Sequence, residues 1–415
     1  MKILIFAYAC EPNRGSEPGL GWNISSEVAR RHEVTMVVRA NNRQVIEDYL
    51  REHPEEPHAK SRFIFFDKEG LLKSIKSKIP FGAQLYFSAW LKAALQACKQ
   101  EIESADVVHQ LTFCPFFVRP YGADLTAKYV WGPVGGGGGP YARFDPKFLA
   151  NQPLGVRLKE RIYQLQYWLI NSSPFGASFR RTRAKAKAVL FKSSAFAQGY
   201  VAPDGQIVKV TRETGYRGTF VKRNYNTTKH HLKLLNVGNM IPSKAMDYAI
   251  RAFAAYVGMG GKGELHFLGD GPCRPALEKL IDDLKMREKI VLHGKVPNAK
   301  VHEMLDSVDL FFFPSFSEAT PWALLEAMSH GLPIVCHKRS GVADLVTDDC
   351  GSPMVSMDPN EIVQLYAKSL MSYYEHPEMI REKGLGAIER VKSQYSWDAI
   401  GRQFDEVYEL VVQSK

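Results

Sequence analysis

Short apolar runs of strand length alternate with helical stretches along the entire chain, and this alternation limits its fold most. Continuous apolar runs are typical of strands buried on both faces, and their alternation with helices favours parallel sheets covered by helices. We therefore predict an α/β fold with two doubly wound domains. The predicted strands are KILIFAYA, HEVTMVVRA, SRFIFFD, DVVHQL, AKYVWG and KAVLFKSS in the first half, and KLLNVGN, ELHFLGD, KIVLHGK, VDLFFFP, LPIVCHK and SPMVS in the second.

The series of strands restarts near residue 231, after the polar stretch 222–231. A chain of 415 residues also exceeds one ordinary hydrophobic core, which favours two domains. We place the first domain at residues 1–205, the second at 206–395 and a final helix at 396–415. Doubly wound domains bind ligands at the carboxyl ends of their strands, so we expect ligands in a cleft between the halves.

Excess positive charge is confined to the first half. Residues 1–200 contain 28 Lys and Arg against 17 Asp and Glu, or +11, whereas the remainder contains 26 against 27, or −1. The densest segments are 68–99 and 179–194. Each is either a solvated helix face or a surface that attracts an anionic membrane or an acidic substrate. No zinc-finger, RNP or helix-turn-helix signature favours nucleic acid.

Composition narrows the class of protein further. Hydrophobic residues make up 45% and charged residues 24%, as in soluble globular proteins, and no apolar run approaches the ~20 residues of a transmembrane helix. The N-terminal run MKILIFAYACEP is too short for a secretory signal and is interpreted as the first strand. The six cysteines lack C-x-x-C or zinc spacing, so we infer a reducing, cytoplasmic compartment and no structural metal.

The stretch 316–331, FSEATPWALLEAMSHG, combines a short helix with two acidic residues. Pro321 suits the first helical position, and Gly331 suits the position just past the helix end. Glu326 lies among apolar residues, where an unpaired carboxylate is costly, so we expect something to satisfy it. Glu318 lies outside the helix, and one ligand could span both acids.

Four segments resemble known enzymes: GDGPCRPALEKL, KIVLHGKVPNAKVHEML, VDLFFFPSFSEATPWALLEAMSHGLPIVC and SGVADLV. Their order and spacing resemble retaining nucleotide-sugar glycosyltransferases of the GT-B fold, in the large fourth family of those enzymes. The most specific element is the E-x7-E pair Glu318 and Glu326, followed by A-M-x-x-G-x-P. The resemblance covers essentially the whole chain. It implies two Rossmann-like domains facing across a cleft, with the last helix crossing back to the first domain.

The resemblance implies roles for five residues in the stretch 296–326. Glu326 would accept hydrogen bonds from the ribose of the donor, and Glu318 would lie near the transferred sugar as a catalytic residue. The N–H groups of Trp322 and Ala323, at the start of the helix, would bind phosphate. Val296 matches a position whose main chain reads the base.

The resemblance also implies a catalytic lysine and shows one departure from the family. Lys244 matches the lysine that contacts the donor diphosphate. Relatives usually have an arginine just after the glycine that ends the preceding strand, and Asn239 stands there in this donor site. Half of the cationic clamp is therefore missing, and Arg217 and Arg339 are conceivable substitutes.

In the first half, the resemblance extends to ACEPNRGSEPGLGWNISSEVARRHEV. In relatives a glycine-rich turn after the first strand brings backbone N–H groups to the diphosphate. Gly15, Ser16, Gly19 and Gly21 fall in this turn, and we assign donor binding to Gly15 and Ser16. Packing alone is the alternative reason for such glycines.

The run WGPVGGGGGP at residues 131–140 follows the fifth predicted strand. We predict a loop that orders on ligand binding and offers backbone donors to the acceptor or the sugar, and a plain flexible connection is the alternative. The assigned residues are Gly132, Gly135, Gly136 and Gly137. Many relatives have a catalytic-site histidine at this point, where this chain has Gly132 and Pro133.

The nearest histidine to this loop is His109, in the run DVVHQL. We assign it to the catalytic group as a contact to acceptor or donor, although a histidine at a strand end is more often structural.

The implied activity is retaining transfer of a sugar from a nucleoside diphosphate sugar to a glycan or lipid-linked glycan, in cell-surface polysaccharide or glycoconjugate biosynthesis. The expected enzyme needs no metal and no cofactor besides the donor. The expected location is the cytoplasm, with peripheral contact to an anionic membrane surface. Two alternatives remain: another GT-B nucleotide-sugar enzyme such as an epimerase, and a non-catalytic subunit that binds nucleotide-sugar or glycan. The nucleotide, the sugar, the acceptor and the oligomeric state leave no readable trace.

Overall fold

The computed structural model describes residues 1–75, 82–135, 154–225, 231–316, 318, 320–356 and 358–414. Contacts divide the chain into two compact units. The first unit contains a seven-stranded sheet and the last helix, and the second contains a six-stranded sheet. Every strand pair between described residues is parallel.

The strands are β1 (Lys2–Ala7), β2 (Glu33–Arg39), β3 (Arg62–Phe66), β4 (Val107–Gln110), β5 (Tyr129–Val134), β6 (Ala188–Phe191), β7 (Ile207–Val210), β8 (Leu232–Val237), β9 (Gly263–Leu268), β10 (Ile290–Gly294), β11 (Leu310–Phe313), β12 (Ile334–His337) and β13 (Gly351–Met354). The first sheet has the order β3-β2-β1-β4-β5-β6-β7, and the second has the order β10-β9-β8-β11-β12-β13. Each sheet follows the 3-2-1-4-5-6 order of a Rossmann sheet, to which the first adds β7. The predicted α/β class with two doubly wound, Rossmann-like domains is confirmed.

The described α-helices are α1 (Ser16–Ala29), α2 (Arg43–Glu52), α3 (Leu71–Ile75), α4 (Gly82–Ala97), α5 (Lys99–Ser104), α6 (Leu154–Asn171), α7 (Ala177–Ala184), α8 (Ser194–Ala197), α9 (Met246–Gly258), α10 (Arg274–Asp283), α11 (Asn298–Ser307), α12 (Trp322–Ser329), α13 (Val342–Leu345), α14 (Pro359–Glu375), α15 (Glu378–Gln394) and α16 (Trp397–Gln413). Short 3-10 turns cover Ala40–Asn42, Pro57–Lys60, Tyr121–Asp124, Pro174–Gly176 and Pro242–Lys244.

All twelve predicted strands are present, and β7 is an additional strand. It pairs with β6 at the edge of the first sheet, and its residues are only half-buried or exposed. An edge strand of this kind lacks the continuous apolar run that marks a central strand. Because β7 pairs in the first sheet, the first unit extends to Glu213, beyond the domain limit that we placed at residue 205.

The last helix, α16, belongs to the first unit, where it lies against α1. Its buried apolar residues recur at helical spacing and include Ile400, Phe404, Val407, Tyr408 and Val411. Arg31 and His32, just after α1, each approach a carboxylate oxygen of Asp405 at 3.1 Å. Apolar burial and charge together fasten the helix.

Candidate active site

A lysine lies at the carboxyl end of β8, in the loop that leads to α9. The loop ends in the 3-10 turn Pro242–Lys244, and Ala245 follows with a φ of 49°. A Cβ added at Gly238 would lie 3.8 Å from Cε of Lys244, so the aliphatic chain of the lysine passes over this glycine. The ammonium lies 5.4 Å from the centre of the Phe313 ring, at the end of β11. Lys244 therefore bridges the ends of two neighbouring strands.

The loop after β11 is tied to this lysine loop. The Ser315 hydroxyl donates to the Ser243 carbonyl at 3.2 Å. The Lys244 ammonium donates to the Glu318 carboxylate, whose Oε1 lies 3.4 Å from the Ser315 hydroxyl. The side chains of Lys244 and Glu318 are 18% and 22% exposed, so a ligand can reach them although they are largely removed from water. The structure thus brings two of the three predicted catalytic side chains together as an ion pair.

This ion pair lies where the order of the strands reverses. β8 and β11 are neighbours, and the chain continues from β8 to β9 on one side and from β11 to β12 on the other. In doubly wound sheets the loops diverge at such a point and leave a crevice that binds ligands. Low exposure strengthens the field of the two charges within the crevice.

Helix α12 starts one residue later than predicted, because Pro321 is its N-cap in an extended conformation and not its first helical residue. The predicted end is confirmed. Gly331 has a φ of 70°, its N–H donates to Met328, and the N–H of Leu332 donates to Ala327. These two bonds form a Schellman motif, which needs the left-handed conformation that glycine adopts easily.

Glu326 lies half-buried in the middle of α12. Within the described part of the chain, no hydrogen bond or ion pair reaches its carboxylate. Burial raises the pKa of this carboxyl above its usual value, and the nearby His302 offsets part of the rise. None of the described residues satisfies Glu326 as expected, and its carboxylate is therefore available to a ligand.

Three further residues that were predicted to bind the donor lie in or beside α12, the helix that carries Glu326. Trp322 and Ala323 form its first turn, whose N–H groups have no acceptor within the helix. Val296, in the loop after β10, and Ala323 pack against the same apolar cluster. The structure thus gathers Val296, Trp322, Ala323 and Glu326 at one end of the second sheet.

Asn239 is exposed in the loop after β8. Of the two conceivable substitutes for the missing arginine, Arg339 follows β12 in the loop beside Glu318, since the N–H of Gly341 donates to the Glu318 carbonyl at 2.8 Å. Arg217 follows Tyr216, whose N–H donates to the Tyr395 carbonyl. We take Arg339, in the loop bonded to Glu318, as the candidate for the second cation.

In the first unit, Gly15 and Ser16 are exposed at the start of α1, where Gly15 is the N-cap. The prediction that Gly19 and Gly21 lie in the preceding turn is wrong, because both belong to α1. A Cβ added at Gly19 would lie 1.8 Å from the Arg14 carbonyl oxygen, and one added at Gly21 would lie 2.2 Å from the Ala9 carbonyl oxygen. These glycines let the backbone pack closely.

The geometry opposes the catalytic role predicted for His109. The side chain is fully buried, with Nδ1 2.7 Å from the Tyr408 hydroxyl and Nε2 2.8 Å from the Gly132 carbonyl. Burial lowers the pKa of the imidazole to about 4, so the ring is neutral and both nitrogens are occupied. Gly132 itself is a β5 residue with a φ of 133° and not part of a loop. Gly136 and Gly137 lie outside the described residues, and their role stays a prediction.

Gly135 begins the glycine run and bridges to Pro115. A Cβ here would lie 3.2 Å from Cδ of Lys192. Lys192 lies between two carboxylates, 2.8 Å from Glu213 and 3.5 Å from Glu17. These carboxylates raise the pKa of Lys192 against the effect of burial. Sequence reasoning missed this cluster because its members are distant in sequence.

A pocket of about 350 Å³ opens at the carboxyl ends of β1 and β2. Tyr8, Arg39, Asn42 and Phe113 line part of it. The Arg39 guanidinium lies 5.0 Å from the centre of the Tyr8 ring, and its buried Nε forms an ion pair with the Asp67 carboxylate at 3.6 Å. Phe113 has a φ of 55°, which is rare for an aromatic residue and typical of functional sites. The signal missed in the sequence was a pair of polar residues, Tyr8 and Arg39, at adjacent strand ends.

Among the described residues, no helix is both long and apolar enough to cross a membrane. In the same part of the chain, no group of three or more His, Cys, Asp or Glu side chains is arranged to hold a metal ion.

Comparison with known proteins finds a family match in the second half of the chain. Residues 219–385 match the family model of the glycosyl transferases group 1. The chain is 28% identical to alpha-D-kanosaminyltransferase of Streptomyces kanamyceticus, over 42% of this chain and 45% of that protein. It is 27% identical to the amylovoran biosynthesis glycosyltransferase AmsK of Erwinia amylovora, over 43% of this chain and 44% of that protein. The matches thus span less than half the length of these relatives.

Solved structures agree over the whole chain. Sucrose-phosphate synthase from Thermosynechococcus elongatus superposes with a TM-score of 0.60 at 16% identity and covers 100% of both chains. Anabaena HepE in complex with UDP superposes with a TM-score of 0.56 at 14% identity, over 99% of this chain and 100% of that chain. Residues 219–385 therefore match the glycosyl transferases group 1 family model, in a chain that has the fold of GT-B glycosyltransferases.

Proposed function

We propose that this protein transfers a sugar from a nucleoside diphosphate sugar to a glycan or lipid-linked glycan, in the synthesis of a surface polysaccharide or glycoconjugate. The observation that carries the proposal is the Lys244–Glu318 ion pair at the strand reversal of the second sheet. A largely buried cation beside a carboxylate suits a ligand with an anionic diphosphate and a sugar rich in hydroxyl groups.

The donor would bind along the carboxyl ends of the second sheet. Glu326 would accept hydrogen bonds from the ribose hydroxyls, which would satisfy its unpartnered carboxylate. The first-turn N–H groups of Trp322 and Ala323 would face the diphosphate, and the main chain of Val296 would meet the base. The similar structure of Anabaena HepE, which contains UDP, supports this class of donor.

The proposed chemistry is electrostatic and retains the configuration of the anomeric carbon. The bond from the anomeric carbon to the diphosphate oxygen breaks, and an acceptor hydroxyl attacks the same face of the sugar and passes its proton to the departing oxygen. Lys244, with Arg339 as the second cation, would stabilise the negative charge that develops on the diphosphate. Glu318 would orient the sugar through its hydroxyl groups. No cofactor besides the donor is needed.

The acceptor would bind the first unit, in the pocket at the ends of β1 and β2. Tyr8 and Phe113 offer aromatic faces on which a sugar ring can pack. Arg39 adds a positive charge, and Asn42 a polar side chain that can bond hydroxyl groups. The net charge of +11 in residues 1–200 would favour an acceptor that carries anionic groups or lies at an anionic membrane surface.

One observation favours a second candidate, a non-catalytic binding subunit. Asn239 is exposed where relatives have an arginine, so the site offers the diphosphate less charge. Such a protein would bind a nucleotide sugar without breaking the bond between the diphosphate and the sugar.

The discriminating experiment measures nucleoside diphosphate release from UDP, GDP, ADP and dTDP sugars by the purified protein. The enzyme hypothesis predicts release from one donor, its loss in Glu318→Gln, and normal rates in Glu303→Gln, whose carboxylate is exposed on α11. Tight binding of a donor with no release, even with added glycan acceptors, would favour the non-catalytic subunit. If the sugar is transferred, nuclear magnetic resonance of the product's anomeric proton tests whether the configuration is retained.

A further inference from the structure

Two helices of the second unit present a connected row of polar side chains beside Glu326. Asn298, His302 and Asp306 lie four residues apart along α11 and therefore share one face. Glu326 and His330 are likewise four residues apart along α12 and its C-cap. The two faces meet, because His302 and His330 stack with ring centres 5.2 Å apart.

Hydrogen bonds join the row into a chain. Nδ1 of His330 lies 2.7 Å from Oδ1 of Asp306, and Nε2 of His330 lies 3.0 Å from Nδ1 of His302. At the far end, Nε2 of His302 lies 3.5 Å from the amide nitrogen of Asn298. His330 is 4% exposed, so its bond to Asp306 is shielded on the histidine side, whereas His302 is only half-buried.

One arrangement of protons satisfies every link. The Asp306 carboxylate can only accept, so His330 carries its proton on Nδ1 and leaves Nε2 bare. His302 must then donate from Nδ1, which leaves its own Nε2 bare. The amide nitrogen of Asn298 can only donate, which agrees with a bare Nε2 on His302.

This chain of hydrogen bonds therefore places a second acceptor, Nε2 of His302, near Glu326. His330 lies one helical turn after Glu326, and its ring stacks on that of His302, which brings His302 to the face of α12 that carries Glu326. Two adjacent acceptors repel a phosphate, which has no proton to offer at neutral pH. They match a pair of neighbouring hydroxyl groups, each of which donates one proton.

We propose that Asp306 and His330 fix the tautomer of His302, so that its unprotonated Nε2 exchanges the long 3.5 Å contact with the Asn298 amide for a hydrogen bond from one ribose hydroxyl of the donor nucleotide, while Glu326 accepts from the other. This inference rests on the proposed function and deepens its donor site. His302 contacts the ligand directly, and Asp306 and His330 are positioning residues.

The first test is a titration calorimetry cycle. UDP, GDP and ADP are titrated into the full chain, and the one that binds wild type is repeated in its 2′-deoxy and 3′-deoxy forms. We expect His302→Phe to weaken the full nucleotide about five- to tenfold. The same substitution should cost nothing with the deoxy form that lacks its partner hydroxyl. Asp306→Asn should weaken binding about two- to fivefold, and Glu303→Gln, exposed on the same helix, should change nothing.

The second test reads the tautomers directly, without any ligand. Long-range ¹H–¹⁵N spectra of ¹⁵N-histidine protein, assigned with the single variants, should show His302 and His330 protonated at Nδ1. Asp306→Asn should remove this preference at both rings. A proton on Nε2 of His302 in wild type overturns the proposal, even if His302→Phe fails to fold.

The failures can be told apart. If wild type binds a nucleotide and Glu326→Ala abolishes that binding, but His302→Phe costs the same with all three forms, the inference is wrong and the proposed donor site stands. If none of UDP, GDP, ADP and dTDP binds wild type, the proposed function fails and the inference falls with it.

Discussion

Replacement of Lys244 by alanine should damage both the stability and the chemistry of the second unit. Among the described residues, the substitution leaves the Glu318 carboxylate with the Ser315 hydroxyl, at 3.4 Å, as its side-chain partner. The two charged groups are 18% and 22% exposed, between the surface pairs that contribute at most about 1 kcal/mol and the buried pairs whose disruption costs about 3–5 kcal/mol. We therefore expect a loss of about 1–2 kcal/mol, or a Tm lower by about 3–6 °C.

The effect on catalysis should be larger. If Lys244 neutralises the departing diphosphate, Lys244→Ala should lower kcat for nucleoside diphosphate release by about 100-fold or more, since the charge acts mainly in the transition state. The matched control is Lys300→Ala, which removes an exposed ion pair with Glu303 on α11. This variant should change the free energy of unfolding by less than about 0.5 kcal/mol. A Lys244→Ala enzyme that keeps its kcat within about threefold, at unchanged donor affinity, would refute the assignment.

Three further predictions concern other groups. Burial raises the pKa of Glu326 in the folded protein, so the stability of the fold decreases as the pH rises from the unfolded pKa through the folded pKa. Glu326→Gln should therefore raise Tm at pH 7 while it weakens nucleotide binding. A lower Tm would contradict this reasoning. Burial lowers the pKa of His109 to about 4 and that of His58 to about 3, so wild type should lose stability as the pH falls below about 6.5. His109→Phe should reduce the dependence of Tm on pH in this range. An unchanged dependence would contradict the prediction. Arg39→Gln should raise KM for an anionic acceptor about tenfold with little change in donor KM, and an equal rise for both would place Arg39 outside the acceptor site.

Much of the fold could be predicted because its signal is local. Strands buried on both faces produce continuous apolar runs, and all twelve such runs form strands. β7 escaped because an edge strand needs no apolar face on its open side. The first residue of α12 was misplaced by one position, since proline suits both the N-cap and the first helical turn.

The site was predictable where the relevant residues form a contiguous motif. Glu318 and Glu326 lie in one stretch, and the resemblance supplied their link to Lys244, which is 74 residues away from Glu318. The bonds of His302 with His330 depend on how α11 packs against α12, which no local pattern encodes. His109 was assigned wrongly in physical terms, because a strand-end histidine looks the same in sequence whether it is open to a ligand or closed in by Tyr408.

The most direct test of the account is calorimetric titration of UDP, GDP, ADP and dTDP into wild type and Glu326→Ala. The account predicts that one nucleotide binds wild type and that the alanine variant binds it at least about tenfold more weakly, because a hydrogen-bonded carboxylate is lost. Binding of none of the four nucleotides to wild type, or equal binding to both proteins, would contradict a donor site at the end of the second sheet.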